Sequence, residues 1–221
     1  MVPALIVFDL DGTLIDSRRD LADSANELIG RHGGRPLPVD EVAGMVGEGA
    51  RMLITRAFAA AGLDASPDEA LPAFLEIYGR RLVDHTRPYE GVQDMLRDAA
   101  AAAPVAVLTN KPQHPTDRLI AHFAFDRFVR RAIGGDAGFP RKPAPDGLLA
   151  LAREAGASPA ETLLVGDSWI DHQTAAGAGT RVCLARYGFG WARFDQARLR
   201  GDEWVIDAPR ELRGLIGGEG A

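Results

Sequence analysis

Two hydrophobic patterns divide the chain, and the stretch at its start sets the frame for both. Leu5-Ile6-Val7-Phe8 is a short, continuous apolar run rich in β-formers. It reads as a strand buried on both faces, as in a parallel sheet. From Asp16 to about Arg87 the spacing is helical only. Leu21, Ala25, Leu28 and Ile29 share one helical face, and Gly33-Gly34 stops that helix. Met52, Leu53, Ala57 and Ala60 mark a second, ended by Gly62. Ser66-Pro67-Asp68-Glu69 supplies an N-cap, a proline at the first helical position and a capping-box glutamate, and Phe74, Leu75, Tyr78 and Leu82 continue that helix. Pro72 lies inside it and is expected to kink it or split it in two.

After Pro88 strands return. Val92, Met95 and Leu96 mark a helix, and Val105-Ala106-Val107-Leu108 is a second buried strand. Leu119, Ile120 and Phe123 suggest a helix, and a weaker strand near Ala132-Ile133 precedes Gly134-Gly135. Leu148 to Ala155 is helical, Leu163-Leu164-Val165 is a strand, and Arg181–Ala185 and Trp204–Ile206 add two more. Strands alternating with helices predict an α/β fold: a Rossmann-like, doubly wound parallel sheet with helices on both faces. The helical stretch is then an insertion after the first strand. The expected division is an α/β core of residues 1–15 and 88–221 and a helical insertion of residues 16–87. The Gly-rich tail from Gly217 is expected to fray.

Composition narrows the classes. The 221 residues suffice for one large domain or a core plus an insertion. The net charge of −6, with arginines interspersed among acids, argues against a nucleic-acid partner. The single cysteine, Cys183 in Val182-Cys183-Leu184, excludes a disulfide framework and a Cys-rich zinc site, and reads as a small buried hydrophobe. The start of the chain has no secretory pattern and no apolar run is long enough to span a membrane, so a cytoplasmic location is the expectation.

The candidate chemistry sits at the carboxyl ends of three apolar strands. Asp9 and Asp11 follow the first, Thr109 and Asn110 the second, and Asp167 and Asp171 a third. In open α/β sheets ligands bind beyond that edge. A buried strand rarely ends in two unpaired acids, because desolvating charge is costly; a cation resolves the problem, and Mg²⁺ prefers oxygen ligands. The Thr109 hydroxyl and the backbone N–H groups after it suit phosphate oxygens. Lys142, in Arg141-Lys142-Pro143-Ala144-Pro145, is held by prolines that could aim it into the site. Each feature also has an ordinary structural reading: capping aspartates, a Thr-Asn helix cap, a solvated lysine, and a first-turn acid at Asp171.

Taken together, Asp9-Leu10-Asp11-Gly12-Thr13, Thr109-Asn110, Lys142-Pro143 and Gly166-Asp167-Ser168-Trp169-Ile170-Asp171 resemble the four motifs of the haloacid dehalogenase superfamily, in order and across essentially the whole chain. The helical insertion is similar to that superfamily's cap domain. Within the superfamily the resemblance is to phosphoglycolate phosphatases. It rests on Asp16-Ser17 with Asp20 and Asn26, on Val46-Gly47-Glu48-Gly49-Ala50, and on the small-residue helix Ala175-Ala176-Gly177-Ala178-Gly179. Arg186-Tyr187-Gly188-Phe189-Gly190 departs from the usual tail.

The resemblance implies a Mg²⁺-dependent phosphomonoesterase. Asp9 would attack phosphorus to give an aspartyl phosphate. Asp11 would protonate the leaving oxygen and then take a proton from the attacking water. Mg²⁺ would bind the Asp9 and Asp167 carboxylates and the Asp11 carbonyl. Thr109, Asn110 and Lys142 would hold phosphate oxygens, and Asp171 would orient Lys142 or metal-bound water. Discrimination should come from the cap, hinged near Asp16-Ser17 and Thr86-Arg87. There the loop glycines Gly47 and Gly49 let backbone approach a small ligand, and Arg51 is the candidate cation for a substrate carboxylate, with Arg18 and Arg19 as rivals. A small phosphomonoester is the expected partner, and the chain is expected to be a monomer or homodimer.

Other classes fit less well. Phosphatases of sugar phosphates or nucleotides and phosphomutases share these acids. A phospho-aspartate receiver module lacks a helical insertion. A dehalogenase attacking carbon needs neither the metal nor the acid at position 11. A dinucleotide site needs a third glycine where Gly188-x-Gly190 is followed by Arg193.

Overall fold

The apolar run at the start of the chain forms the middle of a six-stranded sheet. A computed structural model describes residues 2–217. The chain runs β1 (Leu5–Phe8), β2 (Ile15–Asp16), α1 (Arg18–Arg31), α2 (Val39–Ala43), α3 (Ala50–Ala60), α4 (Pro67–Arg81), β3 (Arg87–Pro88), α5 (Val92–Ala102), β4 (Val105–Leu108), α6 (Gln113–His122), β5 (Val129–Ile133) and α7 (Asp146–Ala155). It continues through β6 (Thr162–Gly166), α8 (Trp169–Ala178), β7 (Arg181–Ala185), β8 (Trp204–Ile206) and α9 (Leu212–Ile216), with short 3-10 turns between several elements. The expected fraying of the glycine tail falls chiefly on residues 218–221, outside the described residues.

The large sheet has the order β5-β4-β1-β6-β7-β8, and all its pairs are parallel. Side chains along a strand alternate between faces, and β1 uses both for core. Ile6 and Phe8 join Leu96, Leu119 and Leu163 on one face, whereas Leu5 and Val7 join Leu148, Leu151 and Leu164 on the other. This two-sided burial explains why the strand reads as an unbroken apolar run. Cys183 is buried within β7, where burial pushes its thiol well above the usual range.

Residues between β2 and β3 form α1 to α4. The two ends of this stretch meet in an antiparallel ladder, Ile15 opposite Pro88 and Asp16 opposite Arg87. Just beyond the ladder, the buried Asp20 carboxylate accepts the His85 N–H (2.9 and 3.0 Å to its two oxygens), the Thr86 N–H (2.8 Å) and the Thr86 hydroxyl (2.7 Å). Asn26 ties α1 to the next loop through both its amide groups, donating to the Leu37 carbonyl at 2.9 Å and accepting the Leu37 N–H at 2.7 Å.

One expectation needs correction, and several short elements were not foreseen. Helix α4 runs unbroken from Pro67 to Arg81, so Pro72 does not split it. The proline removes only the bond to the carbonyl four residues back, near the helix start, and the buried face of Ala70, Phe74, Ile77 and Tyr78 holds the rest. Elements too short to show a period, namely the β2–β3 ladder, α2 and α9, are absent from the sequence pattern.

Asp20 closes the base of the helical stretch, so Asp20→Ala should leave several buried donors unpaired. We expect a loss of about 3 kcal/mol in urea unfolding. A change within about 0.5 kcal/mol would show that the ladder alone closes the stretch.

Candidate active site

The sheet order places a crevice at the end of β1. The chain builds outward from β1 through β4 and β5 on one side and through β6, β7 and β8 on the other. Such a switch point separates the two loops that follow the neighbouring strands and leaves room for a ligand. Asp9, Thr109 and Asp167 occupy the first positions after β1, β4 and β6. The ladders extend to them: the Asp9 N–H donates to the Val165 carbonyl at 2.8 Å and the Thr109 N–H to the Ile133 carbonyl at 3.0 Å.

The structure brings Asp9, Asp167, Asp171 and Lys142 together. Carboxylate oxygens of the three aspartates lie within 4.8 Å of one another, and all three residues are buried. Lys142 Nζ stands 2.6 Å from Asp171 Oδ1, to which it donates a hydrogen bond, and 2.9 Å from Asp9 Oδ1. Burial alone would lower the Lys142 ammonium; the Asp171 and Asp9 carboxylates outweigh it and hold the group above its usual range. Burial raises Asp9 to about 6, with Lys142 opposing and Asp171 adding to the rise. Asp167 is pushed well up by burial, then by Asp171 and Asp9.

Asp171 serves two roles at once. One oxygen receives Lys142, while Oδ2 receives the Ser168 hydroxyl at 2.5 Å and the Ser168 N–H at 3.1 Å, a capping box at the start of α8. The first-turn acid and the lysine partner are the same residue. Asp167 Oδ2 accepts the Gly190 N–H at 2.7 Å. Glycine makes this packing possible at two points. Gly12 has φ 89°, and a Cβ there would sit 2.0 Å from Asp167 Oδ2; one on Gly188 would sit 2.2 Å from the Gly12 carbonyl oxygen. The tail segment that departs from the family pattern therefore cradles Asp167.

Asp11 stands apart from this cluster. Its Oδ1 accepts the Ser17 hydroxyl at 2.6 Å, and Lys111 Nζ donates to both its oxygens at 3.0 Å. The Lys111 side chain is buried, with Nζ 4.5 Å from the centre of the Tyr78 ring. Burial alone would lower its ammonium; Asp11 and Tyr78 hold it above the usual range, and burial pushes the Tyr78 hydroxyl up to about 12. Lys111 and Ser17 were not among the expected site residues. The signal for Lys111 was present: a lysine at the end of a buried strand poses the same desolvation problem as the acids at positions 9 and 11.

Thr109 and Asn110 are buried at the same edge. The Thr109 hydroxyl accepts the Lys111 N–H at 3.2 Å, which leaves its own proton for a ligand. Asn110 Nδ2 donates to the Lys142 carbonyl at 2.9 Å and across to the Gly47 carbonyl at 2.8 Å, joining the core to the α2–α3 loop.

A cavity of about 50 Å³ lies between the strand ends and the helical stretch. Asp9, Asp11, Thr109, Asn110 and Lys111 face it from below. Leu21, Val46, Gly47, Gly49, Leu53, Phe74 and Tyr78 face it from the helices. Arg51 does not reach it. Its neighbour Ala50 lines the cavity, but one residue further along α3 points about 100° away, where Arg51 pairs exposed with Asp68, Nη2 to Oδ2 at 2.8 Å. Arg51, the cation expected to meet a substrate carboxylate, therefore lies outside the cavity lining. Of its rivals, Arg18 pairs with Asp16 and Arg19 with Asp23, both away from the cavity.

Known proteins share this sequence pattern and fold. The haloacid dehalogenase-like hydrolase family matches residues 6–185. The chain belongs to that family. A phosphoglycolate phosphatase of Pseudomonas putida (strain KT2440) is 36% identical over 224 residues, spanning 98% of this chain and 80% of the relative. One from Caulobacter vibrioides is 37% identical over 190 residues, spanning 84% of this chain and 80% of the relative. A crystal structure described as a predicted phosphoglycolate phosphatase from Haemophilus somnus 129PT superposes with a TM-score of 0.89 at 30% identity, covering 96% of this chain and 97% of that one. Among the described residues no helix is long and apolar enough to cross a membrane.

The donor set fits a divalent metal ion. Three buried carboxylates facing one ammonium leave two negative charges without compensation, and all their ligand atoms are oxygen. Asp9 makes the consequence measurable. Its folded value of about 6 lies above the usual 3.8, so the folded protein binds more protons than the unfolded chain between those values. The stabilisation is complete below pH 3.8 and is lost as pH rises through 6. Protein freed of metal with EDTA should lose several degrees of Tm on passing from pH 5 to pH 7, and a divalent ion at pH 7 should restore them. A flat profile, with no response to metal, would contradict the assignment.

Proposed function

We propose that the protein is a Mg²⁺-dependent phosphoglycolate phosphatase that hydrolyses 2-phosphoglycolate to glycolate and phosphate through an aspartyl phosphate on Asp9. The observation that carries this reading is the separation of Asp9 from Asp11. Asp9 sits among carboxylates with Lys142, while Asp11 is gripped by Ser17 and Lys111 at the edge of a small cavity. The names of the relatives support the choice of substrate. So does the cavity, whose helical walls are apolar apart from backbone and the Tyr78 hydroxyl, and whose volume suits a leaving group of a few heavy atoms.

In this reading Asp9 attacks phosphorus in line and the bond to the glycolate oxygen breaks, with Asp11 delivering a proton to that oxygen. Asp11 then takes a proton from water as the water attacks phosphorus, and the bond between phosphorus and the Asp9 oxygen breaks to release phosphate. Thr109, the Asn110 backbone and Lys142 hold the phosphoryl oxygens. Asp9, Asp167 and the Asp11 carbonyl would hold Mg²⁺, with Asp171 keeping Lys142 in place. When bound, the ion offsets repulsion between the Asp9 carboxylate and the phosphate dianion. Residues 16–87 act as a cap over a core of residues 1–15 and 88–221, excluding water while the cavity is filled.

The reading is tested by a phosphomonoester panel with Mg²⁺, containing phosphoglycolate, sugar phosphates and nucleoside monophosphates. Phosphoglycolate should give the highest kcat/KM, and a preference for a sugar phosphate or nucleotide would reassign the substrate. Asp9→Asn should abolish turnover while keeping the native circular dichroism spectrum, because it removes a charge from an already anionic cluster. Retention of more than about a thousandth of the activity would exclude the covalent route. Asp11→Asn should slow both half-reactions by about 10²–10⁴-fold yet keep metal affinity, because the carbonyl is unchanged. A large loss of Mg²⁺ binding in a calorimetric titration would contradict that role.

A further inference from the structure

We propose that Lys111 is the specificity residue of this site, reading a carboxylate on the leaving group. The inference rests on the phosphoglycolate reading above and assigns the recognition that Arg51 does not supply. Among the described residues that line the cavity, Lys111 carries the one cationic side chain. It is the third residue of the turn Thr109-Asn110-Lys111, so the same turn that would hold phosphoryl oxygens brings this cation to the leaving-group side.

The geometry suits a carboxylate close to the ester oxygen. Lys111 Nζ is 3.0 Å from each oxygen of Asp11, the group placed to protonate that ester oxygen. In 2-phosphoglycolate the carboxylate carbon lies two bonds from the ester oxygen. One ammonium can therefore hold Asp11 and the carboxylate together, each contact about 3 Å long, while Asp11 addresses the ester oxygen. An ammonium has three N–H donors, and Asp11 uses at most two. The Tyr78 ring below Nζ and the apolar walls of Leu53 and Phe74 exclude water, which strengthens an ionic contact made there. A larger leaving group would carry its polar groups against those walls, so the residue selects short carboxylates.

An alternative role is structural: Lys111 would only balance the Asp11 charge. The two roles separate by comparing kcat/KM for 2-phosphoglycolate and 2-hydroxyethyl phosphate, both alkyl esters that need the same proton from Asp11 but differ in the carboxylate. The wild type should prefer phosphoglycolate. Lys111→Met should slow both esters, but should reduce the preference itself by about 30-fold or more, mostly through KM, and should weaken product inhibition by glycolate. Lys111→Arg, which keeps the charge, should retain part of the preference. Equal losses on both esters with glycolate inhibition unchanged would overturn the proposal and leave Lys111 as a partner of Asp11. If Lys111→Met fails to fold by circular dichroism, Lys111→Gln takes its place in the same comparison. A wild type with no preference for phosphoglycolate would instead overturn the functional reading before any variant is measured.

Discussion

Three buried carboxylates converge beyond the ends of β1 and β6, and among the described residues Lys142 is the one ammonium set among them. The rest of the site depends on this imbalance. A parallel sheet covered on both faces gives its strand ends no route to bulk water except through the crevice at its carboxyl edge. Acids placed there must be neutralised where they stand. Lys142 meets part of the charge, the Gly190 N–H and the Ser168 cap take individual lone pairs, and burial lifts Asp9 and Asp167 toward protonation. What remains is a demand for a cation, built into the packing before any ligand arrives.

The second charged group is organised differently. Asp11 and Lys111 form a locally neutral pair, fastened by Ser17 and bordered by Tyr78. The two aspartates, two residues apart in sequence, thus have unlike surroundings. Asp9 lies in a cluster with an excess of carboxylates that a cation would balance, whereas Asp11 is paired with Lys111 and faces the cavity. Opposing environments of this kind are a common way for a site to assign different tasks to chemically identical residues.

The helical stretch completes the cavity by contacts that cross from one part of the fold to the other. Asn110 donates to the Gly47 carbonyl, and Arg193 donates to the Gly44 carbonyl. Both acceptors are backbone groups at or beyond the end of α2. At the opposite end, the β2–β3 ladder and the four hydrogen bonds to Asp20 bind the two ends of the stretch to each other.

The sequence by itself determined the strands of the large sheet, the long helices and the motif residues that follow the strands. Buried parallel strands are apolar through their length, so Leu5–Phe8, Val105–Leu108 and Leu163-Leu164-Val165 are visible as runs, and the polar residues that follow them mark the ligand edge. The faces of α1 and α4 are visible because each helix buries one stripe, whereas in α3 the stripe runs through Leu53, Ile54, Ala57 and Phe58 and leaves the expected Ala60 exposed. The motif had already singled out Lys142, but only the tertiary structure brought Lys111 into the site and left Arg51 out of it. Lys142 and Lys111 lie near the acids because separate strand ends converge, whereas Arg51, adjacent in sequence to a lining residue, is turned to Asp68 by the helical repeat. Long charged side chains can reach several partners, and linear spacing does not choose among them. The choice is made by which ammonium is enclosed beside a carboxylate, where leaving either group unpaired would cost most.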